Sequence, residues 1–273
     1  MLIFFIIIFV YGLLVGSFLN VVIFRLNTGR SVVSGRSMCL SCSKTLSWYE
    51  LVPLFSFLFL GGRCRGCKSK ISVQYPIVEG LTALFFILLF FRYGWLLFAG
   101  QSLLFFGLMG YLVLSFAILL IIVVYDFKHK IIPDSLVYAF ISLSVFSYFF
   151  HTGAAHLFSA GTAMHLLAGV VAFLPFAALW FFSRGRAMGF GDAKLALGMG
   201  FFLGLSRVVA ALAFSFWIGA VVSLALLGFQ KLSVKKKHLT LKSEIPFAPF
   251  LIAGFFIIYF CNIDLSVMAS WFQ

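Results

Sequence analysis

The chain has 273 residues, 63% hydrophobic and only 10% charged, where globular domains run at about 45–50% apolar and about 25% charged. That balance excludes a soluble fold, which could not hide so much apolar surface, and a disordered chain, which needs few large apolar residues. The net charge of +13 comes from twenty Lys and Arg against seven Asp and Glu. In a soluble protein it would point to nucleic acid; in a membrane chain it reports loop topology, and no nucleic-acid partner is expected.

Met1–Phe24 carries no charge and ends at Arg25. It lacks the basic start and small-residue cleavage site of a secretory signal, so it reads as a retained transmembrane helix. Residues 26–74 form the one sizeable polar piece, too small for a self-sufficient core. Within it, Leu51–Leu60 is mostly apolar but too short to span, and reads as packed core or as a segment lying on the bilayer surface. Further spans follow at Pro76–Phe91 with its flanks, Ser102–Tyr125, Ser135–Phe150 and Leu166–Phe182. A sixth must start near Met188 to be long enough before Arg207, which places Gly189-Phe190-Gly191-Asp192 in or at the edge of the membrane. Val208–Phe229 and Phe247–Cys261 complete about eight.

Eight spans put both termini on one side. The loops holding residues 25–70, 128–130, 184–194 and 231–242 carry eighteen basic residues, and the opposite loops carry two, Arg92 and Arg207. The positive-inside rule makes the first set cytoplasmic. Lys235-Lys236-Lys237 reads as a contact for anionic headgroups. The expected fold is an all-α polytopic membrane protein of about eight transmembrane helices. Its domains are 1–25 (first helix), 26–74 (cytoplasmic four-cysteine zinc domain) and 75–273 (membrane domain of about seven helices).

Cys39-Leu-Ser-Cys42 and Cys64-Arg-Gly-Cys67 are paired C-x-x-C turns. Four thiolates so spaced suit one tetrahedral Zn²⁺, which also supplies folding energy that a loop this size lacks. Two disulfides, or two redox dithiols, are the alternatives; a cytoplasmic location disfavours stable disulfides. Cys261 reads as a small buried hydrophobe.

Asp126 follows the third span, and Asp192 stands at the cytoplasmic start of the sixth. Singly, Asp126 reads as a loop acid beside Lys130, and Asp192 as an acid favoured by a helix dipole. As a pair on one membrane face they suit general acid–base hydrolysis, one carboxylate activating water while its partner donates a proton. A relay of ions or protons in a transporter would use the same two acids. Asp134, after Pro133, reads as a first-turn helix acid. His129 reads as solvated, and Lys194 as a headgroup contact. Glu79, after Tyr75-Pro76-Ile77-Val78, is functional or merely interfacial.

Five blocks in order resemble the bacterial type IV prepilin leader peptidases, membrane aspartyl proteases of the G-x-G-D type. They are Gly16-Ser17-Phe18-Leu19-Asn20-Val21-Val22-Ile23 with Arg25; the cysteine pairs with Gly62 and Tyr75–Glu79; Asp126 with Ile132-Pro133-Asp134; Gly189-Phe190-Gly191-Asp192-Ala193-Lys194-Leu195; and Pro246-Phe247-Ala248-Pro249-Phe250. The departures are Ala248, where the family often has glycine, and Phe24, where histidine is common.

The resemblance implies an enzyme of the bacterial cytoplasmic membrane, its site facing the cytoplasm. Such enzymes remove the basic leader of type IV prepilins or pseudopilins, cutting after glycine and usually before phenylalanine, and many then methylate the new N-terminus with S-adenosylmethionine. Carried over by motif, Asp126 and Asp192 are the protease pair. Cys39, Cys42, Cys64 and Cys67 fit the four-cysteine domain associated with the methyltransferase half. No glycine fingerprint locates the S-adenosylmethionine site; Glu79 and the cysteine loop are no more than candidates for it. A peptidase without methyltransferase activity is the alternative within enzymes.

Overall fold

A computed structural model of the chain describes residues 2–152, 160–186, 188–232 and 246–270. The Lys235–Lys237 cluster lies outside them. Among the described residues the structure is helical, with two isolated antiparallel bridges and no named strand.

The helices are α1 (Leu2–Arg25), α2 (Phe55–Phe59), α3 (Gln74–Tyr93), α4 (Trp95–Phe98), α5 (Ser102–His129), α6 (Asp134–Thr152), α7 (Ala160–Ser183), α8 (Phe190–Leu203), α9 (Leu205–Leu232), α10 (Ala248–Cys261) and α11 (Leu265–Ser270). Eight of them, α1, α3 and α5–α10, fall on the eight expected spans. Five of these are long and apolar enough to cross a bilayer by length and composition alone. The fold class is therefore the one the composition demands.

The sixth element departs from expectation. α8 starts at Phe190, close to Met188 as expected, but stops at Gly204, whose φ of +79° ends the helix. Fourteen residues make a helix of about 21 Å, less than a hydrocarbon core of about 30 Å. α5 also runs longer than expected: it continues through Asp126 to His129, so Asp126 belongs to a helix and not to a loop. Lys130, at φ +54°, ends that helix and donates its N–H to the Asp126 carbonyl oxygen at 2.8 Å.

The chain divides into two compact units, Met1–Ile121 and Ile122–Gln273. In the first, α1 packs along α3. Gly12 and Gly16, one turn apart, make the contact possible: a Cβ at Gly12 would stand 2.5 Å from Ala83 Cα, and one at Gly16 would stand 2.7 Å from Glu79 Cα. Small residues at this spacing let membrane helices approach backbone to backbone. Asn20 fixes the register, its amide donating to the Tyr75 carbonyl at 3.2 Å while its Oδ1 accepts from Gln74 Nε2 at 3.3 Å. Phe24 stacks on Tyr75 with ring centroids 5.0 Å apart. Arg25 then folds the start of the loop over the end of α1, donating to the carbonyls of Ser31 and Ser34 at 2.6 and 2.8 Å.

In the second unit α8 is the central element. Nine of its fourteen residues are buried, and it packs against α6, α7, α9 and α10. Phe140 of α6, Phe202 of α8 and Phe255 and Tyr259 of α10 meet in one aromatic cluster, with ring centroids 5.2–6.2 Å apart. Such edge and stacked contacts fix helix positions where lipid offers no hydrophobic driving force.

Candidate active site and metal centre

Three helix ends converge around two carboxyl groups. Asp126 lies in the last turn of α5 and is 4% exposed; Asp192 lies in the first turn of α8 and is 7% exposed. The two are near enough to interact electrostatically. The third end is the start of α10, whose Ala248 backbone N–H faces the Asp126 carboxyl. Both α8 and α10 thus aim their N-terminal partial positive charge at the acids. The contact from position 248 is made by backbone, so alanine supplies it as well as glycine does.

Asp126 Oδ2 and Asp192 Oδ1 are buried without a hydrogen-bond partner among the described residues. Leaving one such oxygen unsatisfied costs about 1–3 kcal/mol, more if it is charged. Two side by side therefore mark a place held ready for a proton, water or substrate. The inward turn of Asp126 also removes the loop reading: no ion pair joins it to Lys130 among the described residues.

The α5–α6 connection seals this arrangement. Ile132 lies so close to Gly191 that a Cβ there would stand 3.0 Å from Ile132 Cβ, which is why the residue before Asp192 is a glycine. Asp134, the first-turn acid of α6, pairs with Lys194 Nζ at 2.7 Å. That ammonium also sits 5.1 Å from the Tyr138 ring centroid and 5.3 Å from that of Phe190. Lys194 is therefore tied to protein, a role sequence reasoning missed by assigning it to headgroups. The signal was an acid and a base, each at the start of a helix, in two of the matched blocks. His129 is exposed, as expected, with its ring 4.4 Å from that of Tyr125.

The four cysteines assemble as the spacing foretold. Their Sγ atoms all lie within 4.8 Å of one another, with Cys39 and Cys67 at 3.8 Å. A tetrahedron with metal–sulfur bonds of about 2.3 Å has edges of about 3.8 Å, so the donor set fits a zinc-sized ion. Each C-x-x-C turn is closed by one of the two bridges, Met38 with Thr45 and Arg63 with Lys70. Each also carries a left-handed residue just after its second cysteine, Ser43 in one and Lys68 in the other. The turns are thus two copies of one local structure, a correspondence invisible in their dissimilar side chains.

Backbone N–H groups of Cys42 and Ser41 pull the Cys39 thiol down to about 6. The Ser69 hydroxyl and N–H lower that of Cys67. Cys42 is favoured as thiolate by the Lys44 N–H, but hydrogen bonding and charge from Cys67 and Cys39 outweigh this and push it up to about 11. Four sulfurs this close cannot all ionise without a cation among them.

Glu79 is not one of the cysteine-cluster residues. It is 6% exposed and accepts the Leu54 N–H at 2.8 Å and the Ser17 hydroxyl, so its carboxylate ties the segment between the cysteine pairs to α3.

Residues 10–93 match the family described as Bacterial Peptidase A24 N-terminal domain, and residues 113–224 match the Type IV leader peptidase family. A Bacillus subtilis protein named "Prepilin leader peptidase/N-methyltransferase" is 32% identical over 255 residues, covering 93% of this chain and 92% of its own. A Vibrio cholerae protein of the same name is 31% identical, covering 92% and 94%. This chain belongs to the type IV leader peptidase family. A Myxococcus xanthus member, also so named, is 37% identical over 226 residues; the match covers 80% of this chain and 62% of that longer relative. No solved structure matches. The family boundary places Asp126 and Asp192 together in the second matched segment and all four cysteines in the first.

Proposed function

We propose that this protein is a membrane aspartyl endopeptidase that removes the basic leader of type IV prepilins or pseudopilins at the cytoplasmic face, and then N-methylates the new terminus with S-adenosylmethionine. The observation that carries the peptidase half is the buried Asp126–Asp192 pair, with one orphan oxygen on each carboxyl, inside a chain of this family. Two carboxyls sharing a low-dielectric site hold one proton between them, because both cannot ionise cheaply. The ionised member takes a proton from water as it attacks the scissile carbonyl carbon. The protonated member delivers its proton to the departing amine nitrogen as the C–N bond breaks.

The substrate's chemistry agrees with this placement. A prepilin carries an apolar helix in the bilayer and a basic leader in the cytoplasm, so its scissile bond falls near the membrane surface; the eighteen basic loop residues support a site on the cytoplasmic side. The methyl-transfer half rests on family membership. An apolar cavity in the first unit is lined by Val15, Leu19, Phe85, Phe116 and neighbours. It has no charged group to hold the amino-acid end of S-adenosylmethionine, and Glu79 is already engaged. These residues do not fit the donor, and no step is derived through it.

Zinc, held by Cys39, Cys42, Cys64 and Cys67, supplies the cross-link that folds residues 26–74. Within the proposed 1–25, 26–74 and 75–273 organisation, the four-cysteine centre supports the middle piece.

The test is cleavage of a prepilin by the purified protein in detergent. Asp126→Asn and Asp192→Asn should each abolish leader loss while the thermal midpoint is kept or raised. Cleavage by either variant at the parent rate overturns the assignment. Weighing the mature N-terminus after addition of S-adenosylmethionine separates two activities from one.

A further inference from the structure

The segment between the two cysteine turns presents apolar side chains that nothing among the described residues covers. In α2, Phe55, Leu58 and Phe59 are 52%, 71% and 87% exposed, and Trp48, just upstream, is 79% exposed. The three α2 residues are spaced i, i+3, i+4 and so form one face of the helix. Other residues of the segment are used internally, since the Phe57 ring packs on Gly62 and Pro53, just before α2, is buried. A protein surface in water rarely carries so continuous an apolar patch.

The height of this patch is set by one hydrogen bond. Glu79 accepts the Leu54 N–H at 2.8 Å, and Glu79 lies five residues inside α3, about 7 Å along its axis. On α1 the residue facing Glu79 is Gly16, nine residues before the helix ends at Arg25, or about 13 Å in. The chain thus turns back from the cysteine loop to a level below the ends of both membrane helices that flank it. The turn itself is forced. Leu54 has φ +59° and ψ −51°, and the Phe55 N–H bonds back to the Pro53 carbonyl at 2.7 Å. This is a positive-φ γ-turn, a strained conformation for a side-chain-bearing residue. A buried carboxylate holding its N–H is what keeps it.

Directly after the apolar face come Arg63, Arg65, Lys68 and Lys70, all exposed. The nearby acid, Glu50, is buried and already paired with Lys44 at 3.2 Å. A basic prepilin leader would be repelled here, whereas anionic lipid phosphates would be attracted.

We propose that residues 48–60 form an interfacial membrane anchor. Phe55, Leu58, Phe59 and Trp48 enter the headgroup–acyl boundary of the cytoplasmic leaflet, Arg63, Arg65, Lys68 and Lys70 bind anionic headgroups, and the Glu79–Leu54 bond sets the depth. The cysteine-bound loop is then pinned flat against the bilayer beside α1 and α3. Apolar, aromatic and basic side chains in one short element are the composition such anchors need.

The experiment places a photo-crosslinking phenylalanine analogue at Phe59, and separately at Leu58, in the full chain. The protein is reconstituted in nanodiscs rich in phosphatidylglycerol. Val33, 92% exposed in the preceding loop, is the control position. After irradiation, mass spectrometry should find phospholipid adducts at 58 and 59 and none at 33. Exchanging Arg63 and Arg65 for glutamate should reduce the adduct yield at 59. Adducts at 58 and 59 to added prepilin or to a second copy, in place of lipid, overturn the proposal, as does the absence of lipid adducts at both positions. The result is independent of peptidase activity.

Discussion

Replacing Gly191 with alanine tests whether the fit of the α5–α6 connection against α8 sets the position of Asp192. The added methyl would stand 3.0 Å from Ile132 Cβ and 3.2 Å from its Cδ1, against a favourable carbon–carbon separation of about 3.5–4.0 Å. Two opposing effects decide the sign. Alanine gains up to about 1 kcal/mol over glycine within a helix, less in a first turn. Overpacking a closed contact costs about 1–3 kcal/mol. The contact wins, and the strain is relieved by moving either the 131–133 loop or the start of α8, which carries the next residue, Asp192. A misplacement approaching 1 Å at a reacting group costs up to about 100-fold in rate. Gly191→Ala should therefore lower kcat for prepilin cleavage with little change in KM. Ile132→Gly deletes all three contacting atoms, so the double variant should be faster than Gly191→Ala alone, a coupling a double-mutant cycle reads directly. Strict additivity of the two changes, or an undiminished kcat in Gly191→Ala, would refute the reasoning.

Lys194→Met should leave thermal stability within about 1 kcal/mol, since its partner Asp134 is largely exposed, yet slow cleavage by loosening the α6 and α8 starts; the exchange of charges, Asp134→Lys with Lys194→Asp, should recover part of the rate. Gly16→Leu drives a side chain into the α3 backbone at Glu79 and should lower the thermal midpoint by the equivalent of at least about 1–3 kcal/mol; an unchanged midpoint would mean that α1 and α3 pack otherwise. Elemental analysis should find one zinc per chain. A strong chelator, or Cys64→Ser, should open residues 26–74 to limited proteolysis, because the loop's folding energy comes from the metal; a loop equally resistant after metal removal would show that it has a core of its own.

The spans were legible because hydrocarbon demands long apolar runs, and the cysteine centre because tetrahedral thiolate coordination fixes a spacing. Helix ends were less legible. Asp126 was expected just past a span, but Lys130 and not Tyr125 supplies the residue that stops α5. Gly12 and Gly16 carried a packing signal in plain sight, hidden among other small residues of an apolar stretch. The Lys194–Asp134 pair joins positions sixty residues apart, and only their places at two helix starts hinted at it. Nor could the contact of Ala248 with Asp126, because a backbone N–H has no residue type to betray it.

α8 and α10 each have fourteen residues, so each falls about 9 Å short of the slab it sits in. Both begin at the carboxyl pair. Hydrolysis consumes a solvent molecule that oil does not dissolve, and a matched deficit in two neighbouring rods would leave room for water to approach the acids. The depth at which a precursor is severed would then be written in the count of residues in two helices, and lengthening either by a turn would dry the site.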